Sequence, residues 1–436
     1  FLNIPAITAN VGDIFNVLVD VSVPSGDANF RFTKGNAATV LFDYTDFADG
    51  VTEFQSIVTG ADGFLDRIFY AASLNDGEST LNRFEITKVE NNTNLPRIDY
   101  TSGSPVLLTE PQSTNRLTYS EDFSNAYWTK SNGPTINNNV SSPDGGNNAY
   151  EIGSTSVSSR TQRNLSILPA GDYTQSIFVK YNSGDVRMNF KNNKFGGSQH
   201  ILITSSGVFQ ETPTSSVSIQ EYSNGWHRVS LTYTADGTQS SFFQVFGDID
   251  TTNTSFIFGA QIEEQATSTS YILTNGAIAT RLEDKVTGAG DATIFNDSEG
   301  VLYFEGSALE NGGSNRQVSL SDATNNNLIQ FRYDTTANRI TSFLRGNGGS
   351  YAIKTISGFT QTDNHKVALS WDATSLRIYV DGVQEGSIAT NDLPIGLSEL
   401  KFEQPTGGNE FVGKTKDLRV YPTALTDAEL ITLTTI

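Results

Sequence analysis

The chain has no cysteine. That excludes disulfide staples, thiolate metal sites and cysteine nucleophiles. Histidine occurs three times, at His200, His227 and His365, and no two stand at metal-ligand spacing. A His-based zinc centre is therefore not expected. Basic residues are scarce, with 28 Lys and Arg against 48 Asp and Glu, for a net charge of −20. No basic stripe stands out, and phosphate backbones require one, so neither nucleic acid nor an anionic membrane surface is an expected partner. No apolar run reaches 18 residues, which predicts no transmembrane helix and no membrane insertion. No G-x-S-x-G elbow occurs, and nothing orients a histidine as a base. The chain opens on Phe1 rather than Met without a signal-peptide pattern, so we expect residues upstream of it.

What is present points to an all-β protein. The 38 glycines and only 12 prolines predict many tight turns without Pro-rich linkers. Period-2 segments dominate: "DYTQSIFVKY" (172–181), "WHRVSLTYTA" (226–235), "FIFGAQIEE" (256–264), "LIQFRYD" (328–334) and "SLRIYVDG" (375–382) read as strands. Gly, Asn and Asp turns separate them at short intervals, which favours sandwiches over α/β folds. The one clear helix is "TDAELITL" (426–433), where Thr426 and Glu429 form a capping-box pattern.

An internal repeat is visible. "GDIFNVLVDVSVPSGDANFRF" (12–32) resembles "GDYTQSIFVKYNSGDVRMNF" (171–190), and "RFEITKVE" (83–90) resembles "IFGAQIEE" (257–264). The second copy carries a segment, from about Tyr119 to Pro169, that the first lacks. We therefore expect two modules of one kind, the first truncated at its start. A strand position left open there would be costly, and earlier residues or a strand from another chain would fill it. Between the copies, 94–115 carries Pro96, Pro105 and Pro111 and reads as an extended connector able to pair locally as a strand.

The string "PRIDYTSGSPVLLTEPQSTNRLTYSEDFSNAYWTK" (96–130) resembles a segment of bacteriophage tail-fibre and virion-surface proteins, where it leads into a carbohydrate-binding-module-like jelly roll. "NGWHRVSLTYT" (224–234) and "GAQIEEQATSTSYILTNGAIATR" (259–281) are similar to the centre and close of that module. "SLSDATNNNLIQFRY" (319–333), "HKVALSWDATSLRIYVDGV" (365–383) and "KTKDLRVYPTALTDAEL" (414–430) resemble a laminin-G/concanavalin A-like domain. The implied organisation is a truncated module over 1–93, a connector over 94–118, a jelly roll over 119–275 and a laminin-G/concanavalin-like sandwich over 276–436. Tandem β-sandwiches of this kind specify fold and little more.

Candidate site residues follow from both sources. Concanavalin-like hydrolases place carboxylates as E-x-D-x-x-E, a string absent here, so no reaction is expected. Jelly-roll modules hold a structural calcium ion, and the resemblance implies Glu121, Asp122 and Glu263 as its ligands. Sugar rings stack on aromatic faces, which makes Trp128 a glycan-binding candidate. Trp371 shares its parity with Val367 and Leu369, and faces Leu376, Ile378 and Val380, so it reads as core. The face of Trp226 is left open by its parity. Asp372 and Asp381 read as turn residues, and His365 as structural. In the last unit, the Gly/Asn loops at 310–316, 345–351 and 404–411 carry Arg316, Tyr351 and Phe411 as the remaining glycan candidates.

The resemblance implies a virion-surface protein of a bacteriophage: a fibre, appendage or head decoration. Its expected partners are host or environmental glycans and other virion proteins, with trimers the expected homo-oligomer and weak sites multiplied by avidity. The alternatives are a purely structural decoration, a polysaccharide depolymerase and a secreted bacterial adhesin.

Overall fold

A computed structural model describes residues 2–9, 13–23, 28–34, 38–61, 63–71, 79–88, 96–100, 103–132, 135–153, 159–190, 199–211, 216–238, 240–246, 253–390 and 392–436. Apart from a single-turn 3-10 element and one α-helix, the regular structure there is strand. Three hydrophobic cores organise it, one per sandwich.

In the first sandwich, Ile14–Ser22 lies between Gly50–Ile57 and Thr80–Lys88. A five-stranded sheet faces it, in the order Leu2–Ala9, Gly63–Ala71, Ala28–Thr33, Thr39–Phe47, Thr59–Gly60. Phe15, Val17, Val19 and Val21 are all buried, as strict alternation demands. Phe32 meets Phe84 edge-on at 5.1 Å between ring centroids.

The second sandwich repeats this plan with more strands. Gly171–Ser183 lies between Trp226–Ala235 and Thr254–Glu263, and Ala149–Gly153, Thr135–Val140 and Val217–Glu221 extend the sheet to six. Tyr173, Ile177 and Val179 point into the main core with Val229 and Leu231. Trp226 takes the opposite face, against Phe178 and Phe258, and is buried there too. Its parity was ambiguous because both faces of this sheet are covered.

The third sandwich is a concanavalin A-like pair of sheets. Its five-stranded sheet runs Ala352–Ser357, Arg339–Arg345, Leu328–Tyr333, Arg316–Ser321, Glu399–Lys401. Its seven-stranded sheet runs Val383–Ala389, Ser375–Val380, His365–Trp371, Gly300–Ala308, Gly413–Tyr421, Val106–Thr109, Arg97–Asp99. Trp371 is fully buried among the apolar residues its parity predicts. Asp372 Oδ1 accepts from the amides of Thr374 and Ser375, and Asp381 sits at φ 51° in its turn. His365 is held between Asp381 Oδ2 (2.7 Å) and the Thr360 carbonyl (2.9 Å), a structural role. The helix Asp427–Thr434 starts with the expected capping box at Thr426 and Glu429. Its Leu430 covers Val301, Tyr303 and Tyr379 on the outer face of the larger sheet.

The last two strands of that sheet come from the connector. Leu107 pairs with Thr415, and Leu108 with both Lys414 and Arg97. Residues 92–113 thus join 265–270 and 282–436 in one compact unit, while 1–91, 114–264 and 271–281 form the other. A buried ion cluster fastens the addition. Arg97 Nη2 pairs with Glu110 and lies 3.0 Å from Asp284 Oδ2, which also accepts from the Glu110 amide at 2.8 Å. The Ser270 amide donates to Glu110 Oε1 at 2.8 Å. Further along the string, buried Asn115 donates to the carbonyls of Ala260 (3.1 Å) and Ile272 (2.8 Å). Arg97, Glu110 and Asn115 of the 96–130 string are therefore held in internal contacts.

Candidate functional site

Of the four glycan candidates, the structure leaves one facing solvent. Phe411 is 1 % exposed, packed against Phe304 (5.0 Å), Phe402 (5.8 Å) and Tyr333 (6.1 Å). Trp128 is 2 % exposed, tilted against Phe123 and edge-on to Phe243, with its indole N–H donated to the Tyr119 carbonyl. Arg316 is 2 % exposed, and its guanidinium stitches the preceding loop through Glu310 Oε2 (2.6 Å) and the Gly312 carbonyl (2.8 Å). A side chain enclosed in this way cannot stack on or bind a sugar from solvent. These three candidates are corrected to core and loop-forming residues.

Tyr351 is 42 % exposed and is the residue around which a site is built. Arg345 fixes it: the guanidinium carbon lies 4.5 Å from the Tyr351 ring centroid. The same guanidinium donates to the carbonyls of Gly349 (2.8 Å), Gly348 (2.9 Å) and Asn325 (2.8 Å). Those bonds tie the 345–351 loop to the 322–327 loop. The turn between needs small residues: Asn347 and Gly348 have φ of 47° and 70°, and a Cβ on Gly346 would meet the Leu393 carbonyl at 2.1 Å. Asn327 Oδ1 accepts from the amides of Asn347 (2.8 Å) and Ile395 (3.0 Å). Asn325 reaches Thr406 of the 404–411 loop at 3.1 Å. Two of the three Gly/Asn loops thus meet at one rim. The 310–316 loop instead bonds to Asn338 and Gln361.

The platform continues onto the outward face of the five-stranded sheet. Phe343 meets Tyr351 edge-on at 6.2 Å, and Arg332 lies over the Phe343 ring at 4.5 Å. Two rings, Tyr351 and Phe343, therefore lie between the guanidinium groups of Arg345 and Arg332, and Asn326, Asn347 and Thr406 are exposed on the neighbouring loops. Rings present a flat apolar face, and amides offer paired donors and acceptors, a combination suited to hydroxyl-rich rings. Sequence reasoning missed Phe343, Arg345 and Arg332. The available signal was parity: in "RITSFLR", Phe343 and Arg345 alternate with buried Ile340, Ser342 and Leu344.

The three carboxylates expected to share a metal do not converge. Among the described residues, no group of three or more Asp, Glu or His side chains is placed to hold an ion. Asp122 is a turn acceptor for Ser124, Asn125 and Tyr150. Burial pushes its carboxyl up, but those hydrogen bonds more than offset this and hold it below its ordinary value. Glu263 is fully buried and accepts from Gln261 at 2.8 Å. Glu121 has different company. Its Oε2 accepts from Asn148 Nδ2 at 2.7 Å, and its Oε1 lies 3.1 Å from the Tyr271 hydroxyl. The Ser142 hydroxyl sits between Asp144 Oδ1 and Asn148 Oδ1. Desolvation raises the Glu121 carboxyl to about 7; the Asn148 bond counters it, and the Asp144 charge adds to it. Glu121 and Asp144 are close enough to repel, while Asn148 turns its Nδ2 to Glu121 and its Oδ1 to the Ser142 hydroxyl.

Comparison with known proteins bears on the third sandwich. Residues 307–431 match the family described as the concanavalin A-like lectin/glucanases superfamily. The C-terminal part of the chain has a concanavalin A-like fold. Part of the chain is similar to the solved Ruminococcus gnavus IT-sialidase CBM40, at 16% identity and a TM-score of 0.29, covering 34% of this chain and 96% of that one. The same module bound to alpha2,3 sialyllactose matches at 16% identity and 0.29, over 35% and 96%. A heptameric SAP-like pentraxin from Limulus polyphemus matches at 14% identity and a TM-score of 0.28, over 34% and 73%. Comparison with curated proteins finds no match.

Proposed function

We propose that the chain is an attachment protein of a bacteriophage virion surface (a fibre, appendage or head decoration) that holds glycans weakly at the Tyr351 rim. One observation carries the glycan reading: an exposed aromatic ring pinned by Arg345 and flanked by amide side chains, on a concanavalin A-like fold. The string at 96–130 supports the phage reading by resemblance. Homo-oligomerisation, with trimers favoured, would multiply weak single sites through avidity. No reaction is part of this reading.

Tyr351→Ala tests it. Loss of one stacking face is worth about 1 kcal/mol or somewhat more, so single-site affinity should fall roughly tenfold. The melting temperature should barely move, because the ring lies at the surface. Calorimetric titration of a glycan that binds the parent chain, beside a thermal melt, reads both. Unchanged affinity would remove the rim from the reading.

In the second sandwich a structural calcium ion would be held by the carboxylates of Glu121 and Asp144, with the Asn148 amide turned so that its Oδ1 replaces its Nδ2 toward Glu121. Bound there, the ion supplies positive charge that offsets the two carboxylates. Without it, the raised Glu121 carboxyl makes the folded state hold a proton that the unfolded state releases. Its stability contribution is complete below pH 4.5 and is lost as pH rises through about 7. The span corresponds to ~3 kcal/mol. In chelator, Glu121→Gln should therefore stabilise the chain above pH 7 and change little near pH 4.5. In excess calcium the sign should reverse, since the variant loses a ligand. Thermal melts across pH in both buffers check this. A Glu121→Gln effect identical in the two buffers would rule out calcium here.

A further inference from the structure

The two sandwiches related by the internal repeat differ at one edge. In the second, Thr254–Glu263 is flanked on its far side by Ala149–Gly153, with Thr135–Val140 beyond. The register runs antiparallel, Tyr150 opposite Ile257 and Gly153 opposite Thr254. In the first, the matching strand Thr80–Lys88 is the last of its sheet, and among the described residues nothing pairs with its outer edge. Burial differs between the two strands as well. Ile257, Phe258, Ala260 and Ile262 are at most 1 % exposed, whereas Leu81, Phe84 and Ile86 are only half-buried. Arg83 and Glu85, paired at 2.6 Å and more than half exposed, place charge along this edge. Charge of that kind keeps an open edge from random pairing while leaving its backbone groups available.

We propose that the outer edge of Thr80–Lys88 is a strand-acceptor site. Its occupant is an extended polypeptide segment of the Ala149–Gly153 kind, with alternating apolar side chains, laid antiparallel against Thr80–Arg83. Backbone hydrogen bonds supply the affinity, and further burial of Leu81, within the paired stretch, supplies the selectivity. The choice of occupant rests on the repeat: the same fold, in the same chain, closes the equivalent edge with that strand. It is independent of the glycan reading.

The probe is a synthetic peptide of residues 135–153 added to the full chain, with hydrogen exchange followed by mass spectrometry. In the chain alone, amides of 80–86 should exchange far faster than those of 254–262. With peptide in excess, they should slow by about tenfold or more, and a scrambled peptide should leave them unchanged. Three results would overturn the proposal. One is protection of 80–86 in the chain alone equal to that of 254–262, meaning the edge is already taken. Another is no added protection at peptide concentrations where circular dichroism shows the hairpin formed. The third is protection that rises with chain concentration without peptide, which assigns the edge to a second copy.

Discussion

Replacing Arg97 by methionine is expected to destabilise the C-terminal unit by ~3–5 kcal/mol, because it removes a cation that two buried carboxylates share. Glu110 is 4 % exposed and the Asp284 side chain is fully buried, and the Arg97 guanidinium lies against both. For a unit of this size, a loss on that scale lowers the melting temperature by roughly 10 °C. Removing one of the two carboxylate charges, in Arg97→Met with Glu110→Gln, should recover part of it. Differential calorimetry of the full chain reads the effect. The prediction is diagnostic because Arg97 lies far from the C-terminal unit in sequence. If 97–109 were a free connector, Arg97→Met would leave every transition in place.

The second large effect is expected at Phe411. Truncation to alanine should cost ~3–5 kcal/mol by opening a cavity among Phe304, Phe402 and Tyr333. Phe411→Leu keeps most of the volume and should cost less than half as much. In either variant, the fraction that remains folded should bind glycan as the parent does. Denaturant titration paired with binding measured below the unfolding transition separates the two readouts. Weaker binding by fully folded Phe411→Leu would return this residue to the glycan site. Tyr351→Ala is the mirror case, expected to lose binding and keep stability.

The contrast between these two aromatic residues shows what the sequence could and could not reveal. Both stand in short Gly/Asn-rich loops. Phe411 is buried because Phe304 and Tyr333, distant in sequence, close over it. Nothing local to "GGNEF" encodes that. Trp128 fails as a candidate for the same reason, through Phe243, whereas Arg316 is enclosed by its own preceding loop, through Glu310 and Gly312. Trp371 was legible because two adjacent strands supply its surroundings, so period-2 parity was enough. The capping box was legible because it spans four residues. The connector was half legible. Pro96, Pro105 and Pro111 marked it as extended, but its partner strand begins at Gly413, and such a pairing leaves no trace in local pattern.

The acidic cluster of the second sandwich illustrates a related limit. The resemblance implied Glu121, Asp122 and Glu263 together, and the structure instead sets Glu121 against Asn148 and Tyr271. Its neighbours Asp144, Asn148 and Ser142 come from a turn in "SSPDGGNNAY" (141–150), where turn chemistry alone accounts for each residue type. Only the fold brings that turn against Glu121 and so separates this carboxylate from its sequence neighbour Asp122.

The most direct measurement is a glycan array probed with the assembled parent chain and with Tyr351→Ala, each shown folded by its melt, in calcium and again in chelator. Reproducible binding by the parent, lost in Tyr351→Ala at an unchanged melting temperature, is the expected result. Silence of the folded parent chain across a broad array, or binding that survives Tyr351→Ala undiminished, would contradict glycan attachment through this rim.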